Sequence, residues 1–216
     1  MKKLNLEAAI LDLDGTLVDS SAAYLEAAKT AFAAIGREMN VETSKEIPRR
    51  LEQYHSLGSL IDEASQPKFL KAYLGAYYRA TATKTRVMPG IHETLQRLSQ
   101  KTRLALLTMR FVPKESVIAE LGQLGLAEHF QFVMTALDTC HPKPSPEPLI
   151  ECARQLGVQT KDCVVVGDSV VDVRAGKKVG ARTIAVSSGI FTAQELEKEN
   201  PDLILKSINQ LPDLLA

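Results

Sequence analysis

Ala8-Ala9-Ile10-Leu11-Asp12-Leu13-Asp14-Gly15-Thr16-Leu17-Val18-Asp19 is the stretch on which the reading of this chain turns. Its first four residues form a short apolar run of the kind used by a strand buried on both faces. Asp12 and Asp14 follow two residues apart, so on a continuing strand their carboxylates point the same way. Gly15 then lets the backbone turn sharply. Two acids aimed at one spot repel each other unless a cation or a shared proton holds them. That describes a hard-metal site with a carboxylate available for chemistry. A strand end carrying two solvated acids would show the same letters, so the rest of the chain decides.

Downstream of this stretch the pattern turns helical. Ala23, Leu25, Ala27, Ala28, Ala31, Phe32 and Ile35 recur at helical spacing, with Asp19 or Ser20 placed to cap the start and Gly36 to stop it. A second helix is expected over 46–57, entered through Thr43-Ser44 and ended by Gly58, and a third over 67–81. After Pro89-Gly90 the chain alternates. Helices are expected over 91–98, 113–124, 146–156 and 170–179, and strands over 103–108, 130–134, 163–167 and 182–186. An edge strand (203–205) and a closing helix (208–214) end the chain. Apolar strands alternating with helices predict a parallel sheet covered on both faces, whose site lies at the carboxyl ends of the strands. Asp12, Thr108 and Asp168 each fall at such an end.

The expected architecture is therefore α/β: a Rossmann-like three-layer core with a central parallel sheet, formed by 1–16 and 85–216, and an inserted all-helical cap over 17–84. Inserted directly after the first strand, the helical block is placed to act as a lid, with Thr16 to Asp19 and Lys84 to Met88 as hinges. A dimerisation or stabilising element is the alternative.

Composition narrows the function classes. The 216 residues are 45% apolar and 24% charged, enough for one ordinary core with an insertion. Lys+Arg and Asp+Glu both number 26, so no net field points to nucleic acid or an anionic membrane. Cys140, Cys152 and Cys163 lack metal-ligand spacing and fit idle thiols in a reducing compartment. No apolar run approaches a membrane span, and Asp12 and Asp14 interrupt what would be the apolar part of a leader. A cytoplasmic protein, monomer or homodimer, is expected, without nucleic-acid or membrane partners.

Three further segments carry chemistry. Gly167-Asp168-Ser169-Val170-Val171-Asp172 follows an apolar strand and opens a helix. Asp168 is placed to complete a magnesium (Mg2+) site with Asp12 and Asp14. Asp172 has two readings, an acid behind the metal site or the partner of Ser169 in a helix capping box. Thr108 brings a hydroxyl and exposed backbone amides to a strand-to-helix turn, which suits a phosphate oxygen. Lys143 lies among prolines in His141-Pro142-Lys143-Pro144-Ser145-Pro146-Glu147-Pro148. Fixing one ammonium there suits neutralising a phosphoryl group in transfer.

In this order the four segments resemble the haloacid dehalogenase superfamily of hydrolases, over about Ala8 to Gly189. The inserted helices resemble the cap of the branch that includes phosphoglycolate phosphatases. The proline-rich Lys143 segment is similar to that of pyrophosphatases in the same branch. The resemblance implies a phosphatase of small phosphorylated metabolites. In it Asp12 is the nucleophile and Asp14 the acid and base, Thr108 and Lys143 hold the phosphoryl group, and magnesium rests on Asp12, the Asp14 backbone carbonyl and Asp168. Phosphoglycolate is the first substrate to expect, an inorganic pyrophosphatase or phosphosugar mutase being the alternatives on the same core. A non-catalytic binding protein would have lost a motif, and all four are intact. A dehalogenase of this superfamily typically lacks the second aspartate. Gly15, Thr16, Met109 and Arg110 are candidates to line the substrate, and Met109-Arg110 departs from the family, which often has asparagine after the threonine. Arg49 and Arg50, with Lys45 close by, are candidates to grip a substrate carboxylate from the inserted helices, although such a cluster is most often a solvated helix face.

Overall fold

The computed structural model describes residues 3–216. Ala8–Leu11 (β1), Arg103–Leu107 (β4), Phe132–Met134 (β5), Cys163–Gly167 (β6), Arg182–Val186 (β7) and Leu203–Leu205 (β8) form a six-stranded sheet in the order β5-β4-β1-β6-β7-β8. Every neighbouring pair in it is parallel. β1 sits between β4 and β6, with Ile10 level with Ala105 on one side and Val165 on the other. The chain moves outward on one side of β1 through β4 and β5, then resumes on the other side at β6. That reversal places a crevice at the carboxyl ends of these strands.

Both faces of the sheet are covered, which is why its central strands are apolar at every buried position. Ala9, Leu11, Leu104, Leu106, Val164 and Val166 pack with Ile91, Leu95 and Leu98 of α4 (Ile91–Ser99) and with Val117 and Leu121 of α5 (Lys114–Gln123). The alternate residues Ala8, Ile10, Ala105, Leu107, Cys163 and Val165 pack with Leu149, Cys152 and Leu156 of α6 (Glu147–Leu156) and Ala175 of α7 (Val170–Lys178). The result is a Rossmann-like three-layer core.

The chain divides into two compact units, residues up to Val18 with Val87–Ala216, and Asp19–Arg86. The expected divisions lay at 16/17 and 84/85. The chain passes from one unit to the other within two short strands that pair with each other, Val18–Asp19 (β2) and Arg86–Val87 (β3), and Met88 N–H donates to Leu17 O at 3.0 Å.

The second unit is all helical. Alanines of α1 (Ser21–Ala34) at 23, 27, 28 and 31 share a core with Phe69, Tyr73 and Tyr77 of α3 (Gln66–Lys84). Their small side chains leave room for rings: Tyr24 stacks on Tyr77 at 5.1 Å between centroids and Phe32 meets Phe69 edge-on at 5.1 Å. α2 (Val41–Glu52) starts and ends about five residues earlier than expected. Asn40 is the cap, its side chain accepting from the N–H groups of Glu42 and Thr43 at 2.8 and 3.3 Å, so Thr43-Ser44 lies inside the first turn. Pro48, also inside this helix, is buried with Ile47.

Two other expectations change near the end. A short helix, α8 (Ala193–Lys198), appears where none was expected, started by a capping box between Thr192 and Glu195. Ile208–Asp213 is a 3-10 helix rather than an α-helix, since Pro212 inside it cannot donate to an α-type ladder.

The cysteines give a simple check of this packing. Cys140 is exposed, while Cys152 and Cys163 are buried and burial pushes their thiols up to about 12 and about 11. A thiolate-selective disulfide reagent at neutral pH is expected to titrate one thiol in the native protein and three in denaturant. Rapid native modification of all three would contradict the packing of β6 against α6.

Candidate active site

Asp12 leaves β1 still in register with the sheet, its N–H donating to Val166 O at 2.9 Å. Thr108 leaves β4 in the same way, donating to Met134 O at 3.1 Å. Asp168 directly follows β6. All three are buried at the carboxyl edge of the sheet. Asp12, Asp168 and Asp172 bring carboxylate oxygens within 4.8 Å of one another.

Asp168 is held from several sides. Thr16 Oγ1 donates to its Oδ1 at 3.3 Å and the Ile190 N–H donates to its Oδ2 at 3.1 Å. Two glycines press on it. Gly15 has φ +77°, and a Cβ there would meet Asp168 Oδ2 at 2.4 Å; a Cβ on Gly189 would meet it at 1.8 Å. Ser188 Oγ donates to Gly15 O at 2.8 Å, tying the loop after β7 to the turn after Asp12. The loop carrying Ser188, Gly189 and Ile190 drew no functional reading from the sequence. Its only signal was a Ser187-Ser188-Gly189 run directly after a buried strand.

Asp172 is the capping-box partner of Ser169 and also reaches Lys143. Its Oδ2 accepts from Ser169 N–H at 3.2 Å in the capping box of α7. Its Oδ1 accepts from Lys143 Nζ at 2.6 Å. Lys143, 1% exposed, also donates to Asp12 Oδ1 at 2.7 Å and to Leu107 O at 3.0 Å. Its three N–H bonds are therefore all given to the protein.

Asp12, Asp168 and Asp172 set three buried carboxylates against the single ammonium of Lys143, an excess of negative charge. Burial raises the Asp12 carboxyl to about 7, opposed by Lys143 and assisted by Asp172 and Asp14. Burial pulls the Lys143 ammonium down, but Asp12 and Asp172 more than reverse this and leave it above an ordinary lysine. Such a cluster takes up either a proton or a cation. Its donors are all oxygens, so a hard divalent cation fits it and a soft, thiolate-seeking metal does not.

The Asp14 carboxylate goes elsewhere. Arg110, 4% exposed, grips it with both prongs, Nη2 to Oδ1 at 2.7 Å and Nε to Oδ2 at 2.8 Å. The third guanidinium nitrogen, Nη1, donates to Glu120 on α5. The Arg110 backbone N–H donates to Thr108 Oγ1 at 3.2 Å. Met109, between them, is half-buried. In the helical unit, Arg49 Nε lies 3.6 Å from Glu46 and Arg50 Nη1 donates to Ser56 O at 2.8 Å. Lys45 pairs with Glu42 at 2.9 Å.

A model of haloacid dehalogenase-like hydrolases matches residues 9–186, which hold every one of these active-edge residues except Gly189 and Ile190, with Ser188. The chain belongs to the haloacid dehalogenase-like hydrolases. Across all of its length, and 99% of the relative's, it is 30% identical to a phosphoglycolate phosphatase of Chromobacterium violaceum. It is 26% identical to the pyrophosphatase PpaX of Halalkalibacterium halodurans, over 99% and 98% of the two chains. A haloacid dehalogenase-like family hydrolase of Streptococcus pneumoniae shares the fold with a TM-score of 0.84, over 96% and 97% of the chains at 19% identity. Among haloacid dehalogenase-like hydrolases the chain falls in the phosphoglycolate phosphatase-like branch, a branch of phosphatases. No helix among the described residues is long and apolar enough to cross a membrane.

Proposed function

We propose that this protein is a magnesium-dependent phosphatase of a small phosphorylated metabolite and acts through a covalent aspartyl-phosphate. The observation that carries the proposal is Asp12 itself, at the end of the central strand, pinned by Lys143 and clustered with Asp168 and Asp172. Asp12 and Asp168 would hold the cation together with the Asp14 backbone carbonyl, with Asp172 bracing Lys143 behind them. When bound, a divalent cation neutralises charge on the phosphoryl oxygens of the substrate.

An oxygen of the Asp12 carboxylate attacks phosphorus while the bond to the leaving oxygen breaks, and a proton passes from Asp14 to that oxygen. Water then attacks the aspartyl-phosphate and yields its proton to Asp14. The bond from phosphorus to Asp12 breaks, and inorganic phosphate leaves. The Thr108 hydroxyl and the backbone turn of Asp14, Gly15 and Thr16 orient the phosphoryl oxygens, with Met109 beside them. Lys143 contributes fixed positive charge, its donors being already engaged.

Phosphoglycolate is the substrate favoured by the resemblance to the Chromobacterium violaceum phosphatase, and the helical unit serves as the cap that selects it. Arg49, beside Glu46, and Arg50, bonded to Ser56, are the helical unit's candidates to meet that carboxylate. A pyrophosphate substrate is the second reading, favoured by likeness to the Halalkalibacterium halodurans enzyme. Free thiols at Cys140, Cys152 and Cys163 fit a reducing, cytoplasmic setting.

A panel of phosphate esters and pyrophosphate, ranked by kcat/KM, tests the reading. Activity is expected only with magnesium, lost in excess chelator and regained when magnesium is restored, while calcium, which prefers more ligands and longer bonds, inhibits. The melting temperature of the chelated protein should rise on adding magnesium as the excess negative charge is offset. Full turnover in excess chelator, or none on any phosphate, would refute it.

A further inference from the structure

Resting on the phosphatase reading above, we infer that Arg110, braced by Glu120, is the positioning residue that aims the Asp14 carboxylate for proton transfer. Neither residue belongs to the four motifs. Arg110 spends two prongs on the two oxygens of Asp14 and the third nitrogen on Glu120, and its backbone N–H reaches Thr108. The guanidinium is planar, so two parallel bonds fix not only the place of the carboxylate but the plane in which its remaining lone pairs point. Glu120 anchors the far side of the fork on α5, a rigid helix that packs against the sheet. Asp14 directly precedes the sharp turn that begins at Gly15, where a short side chain would otherwise sample several rotamers. One residue thereby couples the orientation of the acid and base to that of the threonine at the phosphoryl site.

The two halves of the reaction use Asp14 unequally, and this separates positioning from a general structural role. An aryl phosphate has a good leaving group that departs without a proton. Its transfer to Asp12 needs no help from Asp14, but the water that releases phosphate must still give up a proton to Asp14. An alkyl phosphate needs Asp14 in both halves. Arg110→Lys keeps the charge and removes the fork. With an aryl phosphate it is expected to lower kcat about a hundredfold while kcat/KM stays at the parental value. A pre-steady-state burst of one aryl alcohol per enzyme should appear, with acid-stable label trapped on Asp12 from a radiolabelled substrate. With an alkyl phosphate, kcat/KM should fall about a hundredfold as well. Glu120→Gln should show the same split in weaker form, and Asp14→Asn, measured alongside, in stronger form.

If kcat/KM for the aryl phosphate falls in step with kcat and no burst appears, Arg110 only supports the fold and the inference is wrong. Unchanged kinetics on both esters would also overturn it. Should Arg110→Lys fail to melt cooperatively, Glu120→Gln carries the same comparison. A parental enzyme inactive on both esters would instead strike the phosphatase reading and remove the basis of the inference with it.

Discussion

Asp12→Asn is expected to lose hydrolysis by at least about ten-thousandfold while folding normally, because an amide cannot form the acyl-phosphate. The oxygen of the asparagine amide can still accept from Lys143 Nζ, so the hydrogen bond at 2.7 Å has a successor. The variant also removes one of three crowded carboxylates, so the metal-free protein should melt no earlier than the parent at neutral pH. The pH dependence follows from the sign of the shift. Asp12 in the folded chain is raised from the ordinary aspartate value to about 7. Between those values the folded state binds more protons at this residue than the unfolded one. The contribution is therefore stabilising at the acid end of the window and is lost as pH rises through about 7. Melting curves of chelated parent and variant across that window should diverge, the parent losing more stability with rising pH. Parental activity in Asp12→Asn would end the mechanism; parallel melting curves would remove the charge crowding.

Lys143→Ala is expected to damage stability as well as rate. The ammonium is buried and bonded to Asp12, Asp172 and a backbone carbonyl. Removing one member of a buried charged group typically costs on the order of 3–5 kcal/mol, because its partners are left desolvated and unpaired. The ammonium also holds Asp12, the proposed nucleophile, so kcat/KM should drop at least about a thousandfold. Lys143→Arg should rescue little, since a guanidinium fork does not fit a packed site shaped for three bonds from one nitrogen. Magnesium should recover part of the lost melting temperature in Lys143→Ala by offsetting the same charge. A variant that melts with the parent would show that the three bonds contribute nothing net.

The sheet was legible in the sequence because a strand buried on both faces is apolar where it is buried, and the apolar runs of β1, β4 and β6 are each followed directly by a polar residue. Those residues, Asp12, Thr108 and Asp168, lie together, buried, at the carboxyl edge of the sheet. The contacts within that edge were harder to read. In the sequence Arg110 is a departure beside Thr108 and a candidate to line the substrate, whereas its hold on Asp14 spans 96 positions. Glu120 sits on an amphipathic helix among acids of the same appearance, so nothing local separates it from a solvated residue. Gly189 and Ile190 support Asp168 from a loop more than twenty positions on, without periodicity to announce it. α2 was misplaced because Asn40, outside the apolar pattern, supplied the cap, and the helix runs from Val41 with Pro48 in its interior rather than near its start.

The paired strands β2 and β3 have a consequence for how this protein can vary. Leu17 and Met88 are 71 positions apart in the chain yet joined by a backbone hydrogen bond. The α/β unit thus closes on itself at that point as though the residues between were a single long loop, and loop-closure entropy rises only slowly with loop length. Lengthening, shortening or replacing the intervening helices leaves the register of β1 with β4 and β6 untouched. The helices of the second unit and the sheet that gathers Asp12, Asp168 and Asp172 are thus separable inheritances, spliced at one short ribbon.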